Sequence, residues 1–388
     1  FAESGYTITI DDEDTVEVDD ALACEALPGG TLRVRVHIAL VADFVAKGGA
    51  MDNEAAARAT TVYLPETTVR MLPDAVSCAA ASLIAGSERP VLTTDVTISG
   101  AGEVLSASIY PSRIAVSRRL DYPEADRILA AQAGGDPAAA TLKMLSDAAE
   151  LLREQRRTAG AMLMHRREAK VRVREDGIEI TLLDSNSPSR KLVAEFMVLS
   201  NFVAARFAAL NRIPIIYRVQ PDMRGDAAMQ RPRLSMYPEF HAGIGLDYYA
   251  QLSSPIRRYA DLVLQRQLLA ALSKPATQAY SVDELLTVLA GAENAEASGR
   301  ELERRAKRYW TLRYLERYGA DSPLRAVATR DGGGAELTDY VVRGTLRGAP
   351  ELADDTPIMV RISRVDPLRG WLAFDFLRTA DSVTKDAP

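Results

Sequence analysis

The stretch Thr7–Cys24 reads TITIDDEDTVEVDDALAC. Thr7, Ile8, Thr9 and Ile10 alternate as a strand does. Seven carboxylates then fall within the ten positions Asp11–Asp20, after which Ala21, Leu22 and Cys24 turn apolar again. The reading is strand, acidic loop, strand, with Asp11 at the end of the first strand and Asp19 and Asp20 leading into the next. Like charges crowded in this way repel, and a bare carboxylate is costly to bury. A divalent cation resolves the conflict. Hard Mg2+ takes carboxylate oxygens at roughly 2.0–2.1 Å and keeps positions for water and phosphate, as sites of phosphoryl chemistry require. The bland alternative is a solvated acidic loop. A calcium loop of the EF-hand kind is disfavoured, because its central Gly and its helix–loop–helix frame are missing.

Outward from this loop, Thr31–Leu40 (TLRVRVHIAL) alternates behind an LPGG turn, and Asp52–Thr60 is a short Ala-rich helix. Arg89–Ile114 reads as a hairpin around Gly100–Glu103, and Lys170–Asp184 as another turning at Glu175–Gly177. Asp136 as N-cap, Pro137 in the first turn and Gly160 past the end bound a helix. Ser189–Asn211 is long and mostly apolar, hence a buried helix. Asn211–His241, rich in Pro and Arg, is expected to be irregular. Ser253–Ser273 is a helix, and Val282–Tyr318 makes one or two more, closed by Gly319. From about Ser322 the pattern changes to short alternating strands. The expected class is therefore α+β, mixed sheets packed with helices, followed by a small all-β barrel.

The composition fits a large core: 388 residues, 47% hydrophobic. No uninterrupted apolar run reaches the ~18–20 residues of a membrane span, and no secretory leader opens the chain. It begins at Phe1 rather than Met, as if an upstream segment were lost. Cys24 and Cys78 are the only cysteines, in apolar settings, so a reducing, cytoplasmic environment is expected and no disulfide framework. Three histidines and no CxxC argue against zinc. The net charge of −6 argues mildly against a nucleic-acid partner, but Arg156–Arg174 and Ser298–Tyr318 are Arg-rich, and local field outweighs the sum. Solvated helix faces are the plain alternative for both runs.

A counter-charge lies far along the chain. In SSPIRRYADLV, Ser253–Val263, Ser254 is the expected N-cap and Pro255 the first helical residue, with Arg257 and Arg258 in the first turn. That is the unfavourable end of a helix dipole for cations. A local pair between Arg257 and Asp261 is one explanation; a phosphate held by helix-start amides and an Arg fork is the other.

Taken together, TIDDEDTVEVDDA (Thr9–Ala21), VYLP and MLP (Val62–Pro73), SERPVL (Ser87–Leu92) and HAGIGLDYYAQLSSPIRRYADLVLQR (His241–Arg266) resemble the ribonuclease II (RNB) family of processive 3′-to-5′ exoribonucleases. The resemblance runs in order from about Thr7 to Leu315. It implies an RNB catalytic domain over 1–320 and an OB-fold (S1-type) RNA-binding domain over 321–388. It implies Mg2+ on Asp11, Asp19 and Asp20, with Glu17 where the family usually has a fourth aspartate. Catalysis would rest on Asp19, Asp20 and Arg257, the last on the scissile phosphate. RNA would be bound by Tyr63 and Tyr122 through stacking, by Arg257 and Arg258, by Glu195 at a terminal nucleotide and by Glu303 in drawing the strand inward. The partner implied is single-stranded RNA, the protein a monomer without membrane association.

Departures accompany the resemblance. The aromatic that would partner Tyr63 near Met164 is missing. Leu40 stands for an Asp and Gln265 for a His, the chain is short between Asn201 and Pro255, and no N-terminal cold-shock barrel is visible in the residues given. Three rivals stay open: a catalytically impaired RNA-binding relative, a DNA-directed nuclease, and a structural metal-binding domain.

Overall fold

The computed structural model describes residues 5–131, 135–162, 167–184, 186–220, 232–273, 275, 277–319, 322–329 and 333–380. Met164 lies outside them, as do residues 221–231 of the segment Asn211–His241. The chain forms two compact units. The first comprises residues 1–61, 70–164 and 186–297; the second comprises 62–69, 165–185 and 298–388.

The first unit is built on strands β1 (Thr7–Asp11), β2 (Asp20–Leu27) and β3 (Thr31–Ala39), followed by helix α1 (Ala50–Arg58). The second unit takes the short strands β4 (Val62–Tyr63) and β5 (Thr68–Val69). The chain then adds β6 (Glu88–Ile98), β7 (Val104–Ala115) and β8 (Arg118–Asp121) to the first sheet. Its order is β7-β6-β3-β2-β1-β8, antiparallel except for the β1–β8 pair. Because β1 and β2 run antiparallel, the end of one and the start of the other coincide. Asp11 and Asp20 stand at that edge, and the acidic loop spans it.

Helices α2 (Tyr122–Ala131), α3 (Pro137–Thr158) and α4 (Pro188–Leu210) follow in the first unit. Asp136 caps α3 as expected, its carboxylate accepting the Ala138 N–H at 2.9 Å. By length and composition α4 could cross a membrane, yet Leu192, Phe196, Leu199 and Ala204 are buried in one core with Ile8, Leu22, Val36 and Leu142. Strands β9 (Glu168–Arg174) and β10 (Gly177–Leu183) make the expected hairpin, in the second unit. Strands β11 (Tyr217–Val219) and β12 (Arg233–Ser235) pair within the segment expected to be irregular.

Helix α5 (Tyr259–Leu272) divides its apolar residues between two cores. Leu264 and Leu268 join the first, and Tyr259, Leu262 and Val263 a second with Val18, Ala21 and Val41. Helix α6 (Val282–Tyr318) is one continuous helix of 37 residues.

In the second unit, β13 (Leu324–Ala328), β14 (Gly334–Leu337), β15 (Val342–Arg347), β16 (Pro357–Asp366) and β17 (Trp371–Thr379) close into a barrel of order β13-β14-β15-β17-β16. The β15–β17 pair is parallel and β16 closes on β13, as in an OB-fold. Its core holds Phe374, Leu337, Ile358 and Val360 with Leu312 and Leu315 of α6. Gly344 permits the closest approach: a Cβ there would lie 2.7 Å from Phe374 Cε2. The barrel thus shares its unit with β9, β10 and the second half of α6.

Candidate active site

Asp19 is buried at the mouth of β2. Its carbonyl accepts the Ala39 N–H at 2.8 Å. Its carboxylate Oδ1 accepts the N–H of Ile256 at 3.0 Å, and Oδ2 lies 3.6 Å from Arg257 Nε. Residues more than two hundred positions apart are thereby brought into one contact. Burial pushes the Asp19 carboxyl up to about 7, against the pull of Arg257 and of the Ile256 amide. Burial likewise pushes Asp11 up to about 6, with Arg119 opposing and Asp12 adding to the rise. Asp20 is raised by burial first and then by the charges of Asp11 and Asp19. Neither Asp11 nor Asp20 forms a carboxylate hydrogen bond or ion pair with a described residue.

These are hard oxygen donors, Asp19 buried and Asp11 and Asp20 half-buried, and they repel one another, so their chemistry fits a hard dication. Among the described residues, however, no three His, Cys, Asp or Glu side chains are drawn tightly enough together to form a ready-made cage.

The expected helix start is corrected by the structure. Arg258 is extended and opposes Thr60 in an isolated bridge, and α5 begins only at Tyr259. Ser254–Arg258 is a turn, closed by the N–H groups of Arg257 and Arg258 on the Ser254 carbonyl at 3.3 and 3.0 Å. The physical reason is competition for Ser254. Its hydroxyl accepts from Arg257 Nη2 at 2.8 Å, and its N–H is taken by Asp261 Oδ2 at 2.9 Å. The pairing also differs from the local one considered: Arg258, not Arg257, bonds Asp261, at 2.6 Å. Arg257 stays free of that pair, its side chain 40% exposed and facing Asp19.

The other expected site residues divide. Tyr122 borders the carboxylates: its phenol is raised by burial and then by Asp20 and Asp11. The Arg190 guanidinium stacks 3.9 Å from its ring centre and also holds Asp12 at 2.5 Å. Glu17 turns elsewhere, buried with Oε1 at 3.4 Å from Arg70 Nε. Glu195 is buried rather than solvent-facing; both its oxygens are engaged by Arg156, which links α3 to α4 and donates to the Ile244 carbonyl. Tyr63 and Glu303 meet in the second unit, where Glu303 Oε1 accepts the Tyr63 N–H at 2.8 Å and the Tyr63 ring is 43% exposed.

The RNB domain profile matches residues 3–228 and 226–274. The chain belongs to the RNB family. An uncharacterized ribonuclease of Synechocystis is 32% identical over 330 residues, covering 80% of this chain and 49% of that protein. This RNB chain spans about half the length of the curated relatives it matches. Among solved structures, Mycoplasma genitalium RNase R in complex with ribose-methylated single-stranded RNA aligns with a TM-score of 0.85 at 19% identity, over 97% of this chain and 71% of that one. The yeast pseudonuclease Ssd1 aligns with a TM-score of 0.70 at 15% identity, over 88% and 49%. Likeness at such identities fixes the fold alone.

In this RNB domain several supports escaped the sequence reading. Arg119 Nη2 donates to the carbonyls of Asp12, Glu13 and Thr15, at 3.5, 3.3 and 2.5 Å, and so ties down the acidic loop from β8. Its only sequence signal was its place two residues before Asp121. Ser82, in the Ala-rich run after Cys78, is wholly buried; its hydroxyl accepts the Val18 N–H at 3.0 Å and donates to the Val16 carbonyl at 2.9 Å. Gln265, in place of the usual His, donates to the Ala39 carbonyl at 2.6 Å and so links α5 to the end of β3. Ser82→Ala strands a buried N–H and is expected to destabilise the fold by about 1–3 kcal/mol, read from the urea midpoint; an unchanged midpoint would show that the bridge adds nothing.

Proposed function

We propose that this RNB chain is a Mg2+-dependent exoribonuclease that degrades single-stranded RNA processively from the 3′ end, releasing nucleoside 5′-monophosphates as a cytoplasmic monomer. The observation that carries this reading is the contact of buried Asp19 with Arg257, beside two further aspartates whose carboxylates accept no hydrogen bond from a described residue. Kinship with the Synechocystis ribonuclease supports RNA as the substrate.

Asp11, Asp19 and Asp20 would hold the metal, which when bound neutralises the cluster and polarises the phosphate. The chain's own groups do the rest. Arg257, anchored through Nη2 on Ser254 and through Nε toward Asp19, keeps a planar donor edge for the phosphate and stabilises the charge that builds as water adds to phosphorus. The new bond joins water oxygen to phosphorus and the P–O3′ bond breaks, so the shortened strand keeps a 3′-OH and the released nucleoside its 5′-phosphate. Ile256, wholly buried, donates its N–H to Asp19 and shields that carboxylate from bulk water. The exposed Tyr63 ring offers a stacking face worth ~1–3 kcal/mol per base, and the 2′-OH distinguishes RNA from DNA.

End-labelled RNA and DNA oligonucleotides incubated side by side with Mg2+ test the reading. Stepwise loss of RNA from its 3′ end supports it, and equal loss of DNA or internal cuts contradict it. Protons compete with the metal for these carboxyls. With Asp19 at about 7 and Asp11 at about 6, both are ionised at pH 8, and Asp19 is mostly protonated at pH 6. The Mg2+ concentration for half-maximal activity should therefore rise by about tenfold between pH 8 and pH 6. A requirement independent of pH would remove these groups from the metal site.

One observation favours a second reading, a catalytically impaired RNA-binding protein: the described residues form no ready-made metal cage, and Glu17 pairs with Arg70. That reading predicts salt-sensitive RNA retention with no released nucleotides under any metal.

A further inference from the structure

Adjacent arginines of the Ser254–Arg258 turn are used in opposite ways. Arg257 has a side chain 40% exposed, whereas Arg258 is 18% exposed beside an Asp261 that is wholly buried. One oxygen of Asp261 gathers three donors: the Ser254 N–H at 2.9 Å, Arg258 Nε at 3.1 Å and Arg258 Nη2 at 2.6 Å. Arg258 Nη2 also reaches Ser253 Oγ at 3.3 Å. Asn201 of α4 holds the same segment from the other side, accepting the Leu252 N–H at 2.8 Å. The backbone from Leu252 to Ser254 is thus fixed before the turn begins. Only with that turn in place does the Ile256 N–H face Asp19 and the Arg257 guanidinium lie between Ser254 Oγ and Asp19.

We propose that Arg258 and Asp261 are positioning residues: their pair sets the turn that holds Asp19 and Arg257 together, and Arg258 contacts no RNA. The inference rests on the reading of Asp19 and Arg257 given above. It reassigns Arg258, whose sequence position beside Arg257 suggested a second phosphate contact. Two of its guanidinium nitrogens already serve protein acceptors, and a carboxylate anchored by three donors cannot release them without freeing the turn.

The test uses the full chain with Asp261→Asn and, should that variant fold poorly, Arg258→Lys, which keeps the charge and loses the fork. Hydrogen exchange without metal or RNA reads the turn directly. The peptide carrying Ile256 should exchange at least about tenfold faster in either variant, with the β3 peptide unchanged. Single-turnover hydrolysis of oligoadenylate should fall by about 10²-fold, while its affinity in EDTA stays within about twofold. In an Arg257→Ala background the same substitutions should cost at least about tenfold less rate than in the parent, because the share of their effect that passes through Arg257 is already lost. An unchanged Ile256 peptide would overturn the proposal, as would an equal rate loss in both backgrounds. Weakened RNA binding with a salt slope reduced by about one would make Arg258 a phosphate contact instead. If the parent hydrolyses no RNA, the hydrolytic reading fails by itself and the exchange measurement still decides the role of the pair.

Discussion

Asp19→Asn is expected to lower RNA degradation by about 10³-fold or more while leaving single-stranded RNA affinity within about threefold. The substitution is nearly isosteric, and the amide oxygen can still accept the Ile256 N–H. The negative charge is lost, and with it a hard ligand and the electrostatic complement of Arg257. About 4 kcal/mol of transition-state stabilisation corresponds to that loss. The sign of the stability change separates this account from simple unfolding. The Asp19 carboxyl is raised to about 7 in the fold, above the ~3.9 of an unfolded chain. The folded state therefore prefers the protonated form, and stability falls as pH rises through that interval. At pH 8, without metal, the neutral Asn variant should be the more stable protein, by up to about 2–4 kcal/mol. A variant that unfolds more easily than the parent at pH 8, or that digests RNA at the parent rate, would contradict the role given to Asp19.

Arg257→Ala should reduce kcat by about 10²–10³-fold, the scale for removing one preorganised donor from a developing oxyanion. Affinity should change by only a few-fold, since one phosphate contact among many carries little of the binding. The fold should tolerate the change: the side chain is 40% exposed, and its contact with Asp19 is long. Stability is expected to stay within about 1 kcal/mol. Chemical-step rates measured beside RNA titrations in EDTA decide the matter. Equal losses in rate and affinity would make Arg257 a binding residue and no more.

The sequence exposed some parts of this molecule more readily than others, for physical reasons. Period-two alternation in the sequence marks β3, β6 and β7, although β3 and β6 are buried on both faces over six consecutive residues. The Asp136–Pro137 cap marks α3 because helix amides need acceptors. The acidic loop was legible because seven charges in so short a span have few stable explanations. The start of α5 was misread because Ser254 and Pro255 carry every local helix-start signal, and what overrides them is a distant bridge from Thr60 to Arg258 together with the neighbouring Arg257 on the Ser254 hydroxyl. Glu17 and Glu195 looked like site carboxylates, but Arg70 and Arg156, far along the chain, claim them. No local pattern encodes such pairings. Ser82 was invisible for the same reason, as a hydroxyl in an alanine run whose meaning lies in acidic-loop neighbours 64 and 66 residues away.

Manganese binding, counted from the free-ion resonance at pH 8 in the parent, Asp19→Asn, Asp20→Asn and Glu17→Gln, tests the metal site without relying on turnover. Tight binding in the parent, lost on altering Asp19 or Asp20 and kept on altering Glu17, is the predicted pattern. An Asp19→Asn protein that binds manganese as the parent does would show that the buried carboxylates do not hold the ion.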